Sequence, residues 1–410
     1  MKKFLLILLI IGSYLTLNAR KIGLALSGGG ARSYAHIGVL KVIDELEIEI
    51  DYITGTSSGA FIGGLYAIGY SAEEIEEFFL NLDWENILRS EIPRKELFIG
   101  EKRWKPYSKY RLSLNKYYMP ELPKGFLEAN LLINKIFELT YPVAAKHDFD
   151  NFPIKYRCIA TNILSGEKKV FSNGSLHEVI RASMSFPSIL APFNLDGQMY
   201  IDGGIVENLP TSELKKMGAD FIIGVKTNSE LKNRNNLNNF IDILDQTINM
   251  SIQKNISSSM KNCDIIIQPN LTKFSLLDFK DRKEIIKIGE RIAREKFSNF
   301  QFSDKKKSNT LIDYKKKYSF KKIKVSGNEY LSSAKIREYL DLQTNSSYSK
   351  KEILSAFIKA YNFDLFSLIY PVIKSSKDNA YELIVKVKEQ QRRDFGANIN
   401  FNEDNQFIAG

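Results

Sequence analysis

The stretch "YITGTSSGAFIGG", residues 52–64, sets a short β-prone run against a Gly-x-Ser-x-Gly core, followed by small and apolar residues at helical spacing. A strand that turns sharply into a helix at Gly55-Thr56-Ser57-Ser58-Gly59 needs small residues on either side of the serine, because side chains there would clash in the strained turn. The turn lifts the Ser57 hydroxyl above the sheet at a helix N-terminus, where a developing anion is favoured. The plainer alternative is a strand-to-helix turn in which Ser57 merely caps the helix.

Outward from this stretch, residues 20–300 alternate strand-like and helix-like segments: "KIGLAL", a helix from Ala31 to Leu46, "DYITG", a helix from Ser58 to about Ile68, then "IKYRCIATN", "ADFIIGVKT" and "CDIIIQP" with helical text between them. That alternation predicts an α/β fold, a parallel sheet covered by helices on both faces. Residues 301–317, "QFSDKKKSNTLIDYKKK", are polar and lysine-dominated and read as a linker. Residues 318–390 read strand, helix, helix, strand, strand. A turn falls at Val325-Ser326-Gly327-Asn328, helical periodicity covers Ala334–Leu340 and Lys350–Tyr361, and "LIYPVIKSS" with "AYELIVKVKEQ" suits a hairpin. In residues 391–410, Phe395, Ala397, Ile399 and Phe401 alternate strictly, which predicts one strand with nothing left to pair with it. A length of 410 residues fits two folded units.

Hydrophobic content of 44% and 26% charged residues describe an ordinary globular chain. The net charge of +10 favours anionic surfaces such as phospholipid headgroups or nucleic acid, without choosing between them. The start "MKKFLLILLIIGSYLTLNA", residues 1–19, has two lysines, an apolar run from Phe4 to Leu17 and a small residue, Ala19, before Arg20. It reads as a secretory signal peptide cleaved after Ala19, a membrane anchor being the alternative for which the run is slightly short. Either way the chain is expected to be exported. Cys158 and Cys263 lie in apolar strand-like runs and read as buried free thiols. Metal-ligand spacing is absent from the sequence, so neither a metal nor a cofactor is expected.

Two further motifs bear on Ser57. "LALSGGGARS" puts Gly28, Gly29 and Gly30 between a strand and a helix, leaving consecutive backbone N–H groups to point at an oxyanion. A dinucleotide-binding loop would require glycine at position 33, which is Ser33, and an acid at the end of the second strand, which instead runs into the serine turn. "MYIDGGIVENLP" places Asp202 at the end of a short apolar strand, before Gly203 and Gly204, which let the backbone approach another group closely. A plain acidic turn is the alternative. A serine nucleophile needs a base, yet the three histidines, His36, His147 and His177, read as structural or solvated, since none lies in the late loop where a hydrolase triad carries it. A carboxylate within hydrogen-bond reach serves instead, and Asp202 is the candidate.

In this order "GLALSGGGARSYAHIGVLKVIDE", "GTSSGAFIGGLYA", "IRASMSFPSILAP" and "YIDGGIVENLP" resemble the bacterial patatin-like phospholipases, serine lipid acyl hydrolases with a Ser-Asp dyad. The resemblance covers about residues 20–300 and implies a three-layer fold with a mostly parallel central sheet. It implies Ser57 as nucleophile, Asp202 as base, and the backbone of Gly28, Gly29 and Gly30, helped by Arg32, as oxyanion hole. Gly55, Gly59, Gly203 and Gly204 would support the two motifs. Phospholipid at a membrane surface would be the substrate, with no nucleic acid among the partners. Ser33 departs from the glycine common in the family.

Residues 318–390 resemble a POTRA module, and a patatin domain followed by POTRA looks like a type Vd autotransporter. That implies the periplasm, outer membrane or cell surface, with outer-membrane assembly machinery as a partner. A transmembrane barrel needs at least about eight strands, so a chain ending at Gly410 is expected to be truncated or to lack its own anchor. "KRWKPYSKYRLSLNKYYMP", residues 102–120, interleaves basic and aromatic side chains and suits a headgroup interface, a hairpin packed beside the active site with a solvated basic face being the equal alternative. Two other readings compete with the dyad hydrolase: an assembly or binding module whose hydrolase domain is inactive, and a triad esterase using one of the histidines.

Overall fold

The computed structural model describes residues 20–89, 110–113, 127–187, 189–228, 230–231, 237, 240–300, 313, 315–375, 380–390, 394–397, 399–401 and 407–409. Residues 1–19, expected to be a signal peptide, most of the lysine-rich stretch 301–317 and the basic-aromatic stretch apart from Tyr110–Ser113 lie outside them.

A short apolar run forms β1 (Ile22–Leu26) and a β-prone run, Tyr-Ile-Thr-Gly-Thr, forms β2 (Tyr52–Thr56); both are buried along their whole length, the β2 threonine hydroxyls donating to the Pro210 and Glu207 carbonyls. Strands buried on both faces read as continuous hydrophobic text, as in parallel sheets. Helix α1 (Tyr34–Glu45) follows β1 after a 3-10 turn at Gly30–Ser33, and α2 (Ser58–Ala67) follows β2. Helices α3 (Ala72–Leu80) and α4 (Trp84–Arg89) come next, then β3 (Tyr110–Ser113) and α5 (Asn130–Thr140). Helix α3 opens on a capping box, the Ser71 hydroxyl accepting from the Glu74 amide and the Glu74 carboxylate from the Ser71 amide.

The middle of the chain supplies β4 (Lys155–Asn162), β5 (Lys168–Phe171), α6 (Leu176–Ser183), β6 (Phe193–Leu195), β7 (Gln198–Asp202) and two short helices, α7 (Gly204–Glu207) and α8 (Thr211–Met217). The first unit closes with β8 (Phe221–Val225), α9 (Phe240–Met260), β9 (Ile265–Ile267) and α10 (Arg282–Phe297). Among the described residues these strands form one sheet in the order β6-β7-β4-β2-β1-β8-β9, with β5 also paired to β4. Its centre is parallel as the alternation predicts. The β5, β6 and β7 pairings are antiparallel, which the sequence pattern did not announce.

The second unit has β10 (Lys317–Ser326), α11 (Ser333–Leu340), β11 (Ser347–Ser349), α12 (Lys350–Tyr361), β12 (Phe366–Ser375) and β13 (Tyr381–Glu389). The strand order is β11-β10-β13-β12, with the expected β12–β13 hairpin and the added short strand β11. The two units share their cores. Tyr370 and Val372 of β12 pack into the first unit's core, while Phe137 and Tyr141, at and beyond α5, belong to the second's. The Asn130 carboxamide accepts the Ile369 amide at 2.7 Å, Asn134 donates to the Ile369 carbonyl at 2.9 Å, and the Tyr370 hydroxyl donates to Glu178 at 2.9 Å. A lysine-rich connection thus joins units that are packed together rather than merely tethered.

The single unpaired strand expected near the C-terminus is corrected. The alternating residues divide between β14 (Asp394–Ala397), antiparallel to β3, and β15 (Ile399–Phe401), antiparallel to β16 (Phe407–Ala409). An isolated extended strand exposes unpaired N–H and C=O groups, and both pairings satisfy them.

Candidate active site

Strand β4 assembles the site. Strand β5 overlaps β2 along β4 at Cys158 and Ile159, and overlaps β7 at Ala160 and Thr161. Strand β5 therefore occupies one edge of β4, and β2 and β7 share the other, end to end. Thr56 pairs with Ile159 and Asp202 pairs with the next residue, Ala160. The last residue of β2 and the last residue of β7 thus arrive from opposite directions at one point, which brings Ser57 beside Asp202.

Ser57 has φ 55° and ψ −129°, in the left-handed region for a residue with a β-carbon. Such a conformation costs about 1–3 kcal/mol and persists only where surroundings impose it. They do. The Ser57 amide donates to the Ser183 hydroxyl at 2.8 Å, its carbonyl accepts from Ala60 and Phe61, and the chain enters α2 at Ser58. The Ser57 side chain makes no helix-capping hydrogen bond, so the capping alternative fails. Gly59 lets the β1 backbone come close, since a β-carbon there would lie 2.4 Å from the Ser27 carbonyl oxygen. Gly55 is pressed by the Ala60 and Gly59 backbone in the same way.

Asp202 is 2% exposed. Its amide donates to the Ser185 carbonyl at 3.0 Å, and its own carbonyl accepts the Thr161 hydroxyl at 2.9 Å. The carboxylate Oδ1 accepts the Gly204 amide at 2.8 Å, while Oδ2 is buried without a well-formed hydrogen bond. Burial pushes the carboxyl up to about 6; the Ser57 hydroxyl beside it and the Gly204 amide pull the other way. At Gly203 a β-carbon would sit 2.2 Å from the Ile159 carbonyl oxygen, so only glycine lets β7 finish against β4 there.

The glycine loop faces this pair, with one correction to the expected donors. The Gly28 amide donates to Asn208 Oδ1 at 3.1 Å and is not available to an oxyanion. The Gly29 amide makes a long contact, 3.3 Å, with the Ser58 hydroxyl. Gly30, at φ 58°, opens the 3-10 turn, and no hydrogen-bond acceptor occupies its amide among the described residues. Of the three loop amides, Gly28's is engaged by Asn208, Gly29's only by the longer Ser58 contact, and Gly30's has no acceptor among the described residues. Arg32 lines the same pocket, its Nε donating to the Phe274 carbonyl at 2.8 Å. The Ser33 hydroxyl lies 2.6 Å from that of Ser58.

None of the three histidines lines the pocket over Ser57. His36 Nε2 donates to the Ser27 carbonyl at 2.8 Å beneath the glycine loop, and burial holds its ring down to about 4. His177 is buried between Phe137 and Tyr370, and burial holds it down to about 3. His147 Nε2 donates to the Ile373 carbonyl at 2.8 Å.

The pocket is polar at Ser57, Asp202, Asn208 and the glycine loop, and apolar beyond, where Phe61, Phe79, Trp84 and Phe279 line it. Trp84 stacks on Phe279 at 4.7 Å between ring centroids, and its Nε1 donates to the Tyr34 hydroxyl at 2.7 Å. That hydroxyl donates on to the Phe79 carbonyl, so the wall presents ring faces with its polar atoms satisfied. Sequence reasoning missed Ser183, Asn208, Ser58 and these aromatics. Ser183 and Asn208 do stand inside the quoted motifs, but among other polar residues such as Arg181, Ser185 and Glu207 that gave them no distinction.

Residues 24–215 match the family model for patatin-like phospholipases. The chain is 30% identical over 314 residues to lysophospholipase NTE1 of Meyerozyma guilliermondii, covering 70% of this chain and 20% of that protein. An uncharacterized NTE family protein of Mycobacterium tuberculosis is 32% identical over 208 residues, 51% of this chain and 49% of its own. Both relatives thus extend well beyond the matched length. Among solved structures, VipD from Legionella pneumophila aligns with a TM-score of 0.40 at 15% identity, over 68% of this chain and 67% of that one. Residues 24–215 form a patatin-like phospholipase domain, with an α/β fold about a mostly parallel sheet.

Proposed function

We propose that this protein is a serine lipid acyl hydrolase of phospholipase A type, cleaving carboxylic esters of phospholipids through Ser57 and Asp202. The observation that carries the reading is the end-to-end meeting of β2 and β7 on one edge of β4, which sets a strained, half-buried serine beside a buried carboxylate whose pKa is raised to about 6. Kinship with lysophospholipases supports lipid esters as the substrate class, and the apolar pocket wall suits an acyl chain.

In the first step the Ser57 oxygen attacks the ester carbonyl carbon as its proton passes to Asp202. Negative charge collects on the former carbonyl oxygen, which the Gly29 and Gly30 amides receive. The bond to the alcohol breaks, Asp202 returns the proton to that leaving oxygen, and lysolipid or alcohol departs. Water then attacks the acyl-enzyme with Asp202 again taking the proton, which releases the fatty acid and restores Ser57.

The test is hydrolysis of a fluorogenic phospholipid by the full chain, with chelator present, beside Ser57→Ala and Asp202→Asn. Both variants should remain folded and lose at least about a thousandfold in rate. A folded parent inert on phospholipids and simple esters alike would end the proposal. The lysine-led apolar start and the POTRA-like order of the second unit support an exported enzyme working near an outer membrane. Fractionation of cells expressing the full sequence, with the mature N-terminus sequenced, tests that part by itself.

A further inference from the structure

A loop of three glycines has no side chains with which to hold itself, yet an oxyanion hole works only if its amides are aimed before the charge appears. Here a buried side chain grips the first glycine of the loop. The Asn208 carboxamide faces the Gly28 peptide group from both sides of its hydrogen-bonding capacity: Oδ1 accepts the Gly28 amide at 3.1 Å and Nδ2 donates to the Gly28 carbonyl at 3.3 Å. Asn208 is 2% exposed, so water does not compete for these bonds.

Asn208 directly follows α7, the short helix that begins two residues after Asp202. Its backbone amide donates to Asn255 Oδ1 at 3.0 Å, and Asn255 Nδ2 donates back to the Gly204 carbonyl at 2.8 Å. Gly204 in turn donates to Asp202 Oδ1. The Asp202 carboxylate, the α7 turn, the two asparagines and Gly28 therefore form one continuous hydrogen-bonded path. Gly204 also keeps room for the clamp, because a β-carbon there would lie 2.7 Å from Asn208 Oδ1.

We propose that Asn208 is a positioning residue for this reaction: it locks Gly28 and so aims the Gly29 and Gly30 amides at the oxyanion, tying the oxyanion loop to the loop that carries the base. This rests on the hydrolase reading above. It touches no reacting atom itself.

The test uses the full chain with Asn208→Ala. Turnover of p-nitrophenyl butyrate is measured alongside amide hydrogen exchange across Leu26–Ser33. The proposal expects kcat to fall by about 10-fold to 1,000-fold with KM within about twofold, together with faster exchange in that segment. A kcat within about twofold of the parent, or faster exchange with no loss of kcat, would overturn it. So would a loss confined to KM. If the alanine variant does not fold, Asn208→Ser, whose hydroxyl engages only one of the two Gly28 groups, is judged by the same criteria. Asn255→Ala should move both readouts in the same direction by a smaller amount; a normal kcat in that variant with accelerated Leu26–Ser33 exchange would sever the path to the base loop. A parent without any turnover would refute the hydrolase reading, and with it a catalytic role for Asn208, while exchange in the parent and Asn208→Ala would still report whether the clamp exists.

Discussion

The backbone amide of Ser57 donates to the hydroxyl of Ser183 at 2.8 Å, so the proposed nucleophile is suspended from the last residue of α6. That hydroxyl donates in turn to the Ile159 carbonyl at 2.5 Å, on the strand that carries both ends of the site. Ser183→Ala would remove the acceptor of the part-buried Ser57 amide, at a cost near the low end of the about 1–3 kcal/mol for a stranded buried group. The midpoint of urea unfolding should fall accordingly. With the strained turn no longer held, kcat should drop by about 10-fold to 100-fold. An unchanged kcat would show that the turn is set by other contacts.

If Asp202 is the base proposed above, stability and activity should depend on pH in opposite directions. Its carboxyl titrates near 6 in the folded chain against an ordinary value of 3.8. The folded state therefore holds this proton more tightly than the unfolded one. The contribution to stability is complete below about pH 4 and is lost as pH rises through about 6. Activity needs the ionised base, so kcat should climb through the same interval and level off above it. Asp202→Asn should abolish the climb, flatten the stability profile there, and raise stability at pH 7 by on the order of 3 kcal/mol, about two pKa units' worth. A kcat that stays flat from pH 4.5 to 7.5 would remove Asp202 as the base.

The histidines separate a dyad from a triad. His36→Gln, His147→Gln and His177→Gln should each keep kcat within about tenfold of the parent, since none lines the pocket and two are held neutral by burial. A folded variant losing as much as Ser57→Ala would place that imidazole in the mechanism.

The shared core joins the fate of the two units. Asn130→Ala removes the acceptor of the Ile369 amide, a buried contact across the junction, and should lower stability by about 1–3 kcal/mol. Because Tyr370 and Val372 complete the first unit's core, circular dichroism and tryptophan fluorescence should report one coincident unfolding transition. Two well-separated transitions would mean that the junction contributes little.

Much of this molecule is legible along the chain because the signals are local. Continuous apolar runs mark β1 and β8, since strands buried on both faces need no alternation, and a short β-prone run ending at the serine turn marks β2. The Gly-x-Ser-x-Gly turn and the Asp-Gly-Gly strand end are written in glycines whose absent side chains admit neighbouring backbone. The hairpin and helices of the second unit follow from period and turn residues. What stayed hidden depends on partners distant in sequence. Nothing around Asn208 tells that its carboxamide will close on Gly28, 180 residues away, and nothing around Gly28 tells that its amide will be spent there. Alternation from Phe395 to Phe401 reads as one strand because periodicity carries no information about where pairing stops.

By itself the sequence marked the residues for which we propose the chemistry: a serine in a tight strand-to-helix turn, an aspartate at a strand end, and a loop of glycines. Only the tertiary structure decided that they meet. It ends β2 and starts the β7 pairing at adjacent residues on one edge of β4, and it fills the gaps with Ser183 and Asn208. The physical reason is that strain, burial and an aimed amide are properties of surroundings. Local sequence encodes a conformation that a residue can adopt, and packing from across the chain makes it adopt that conformation.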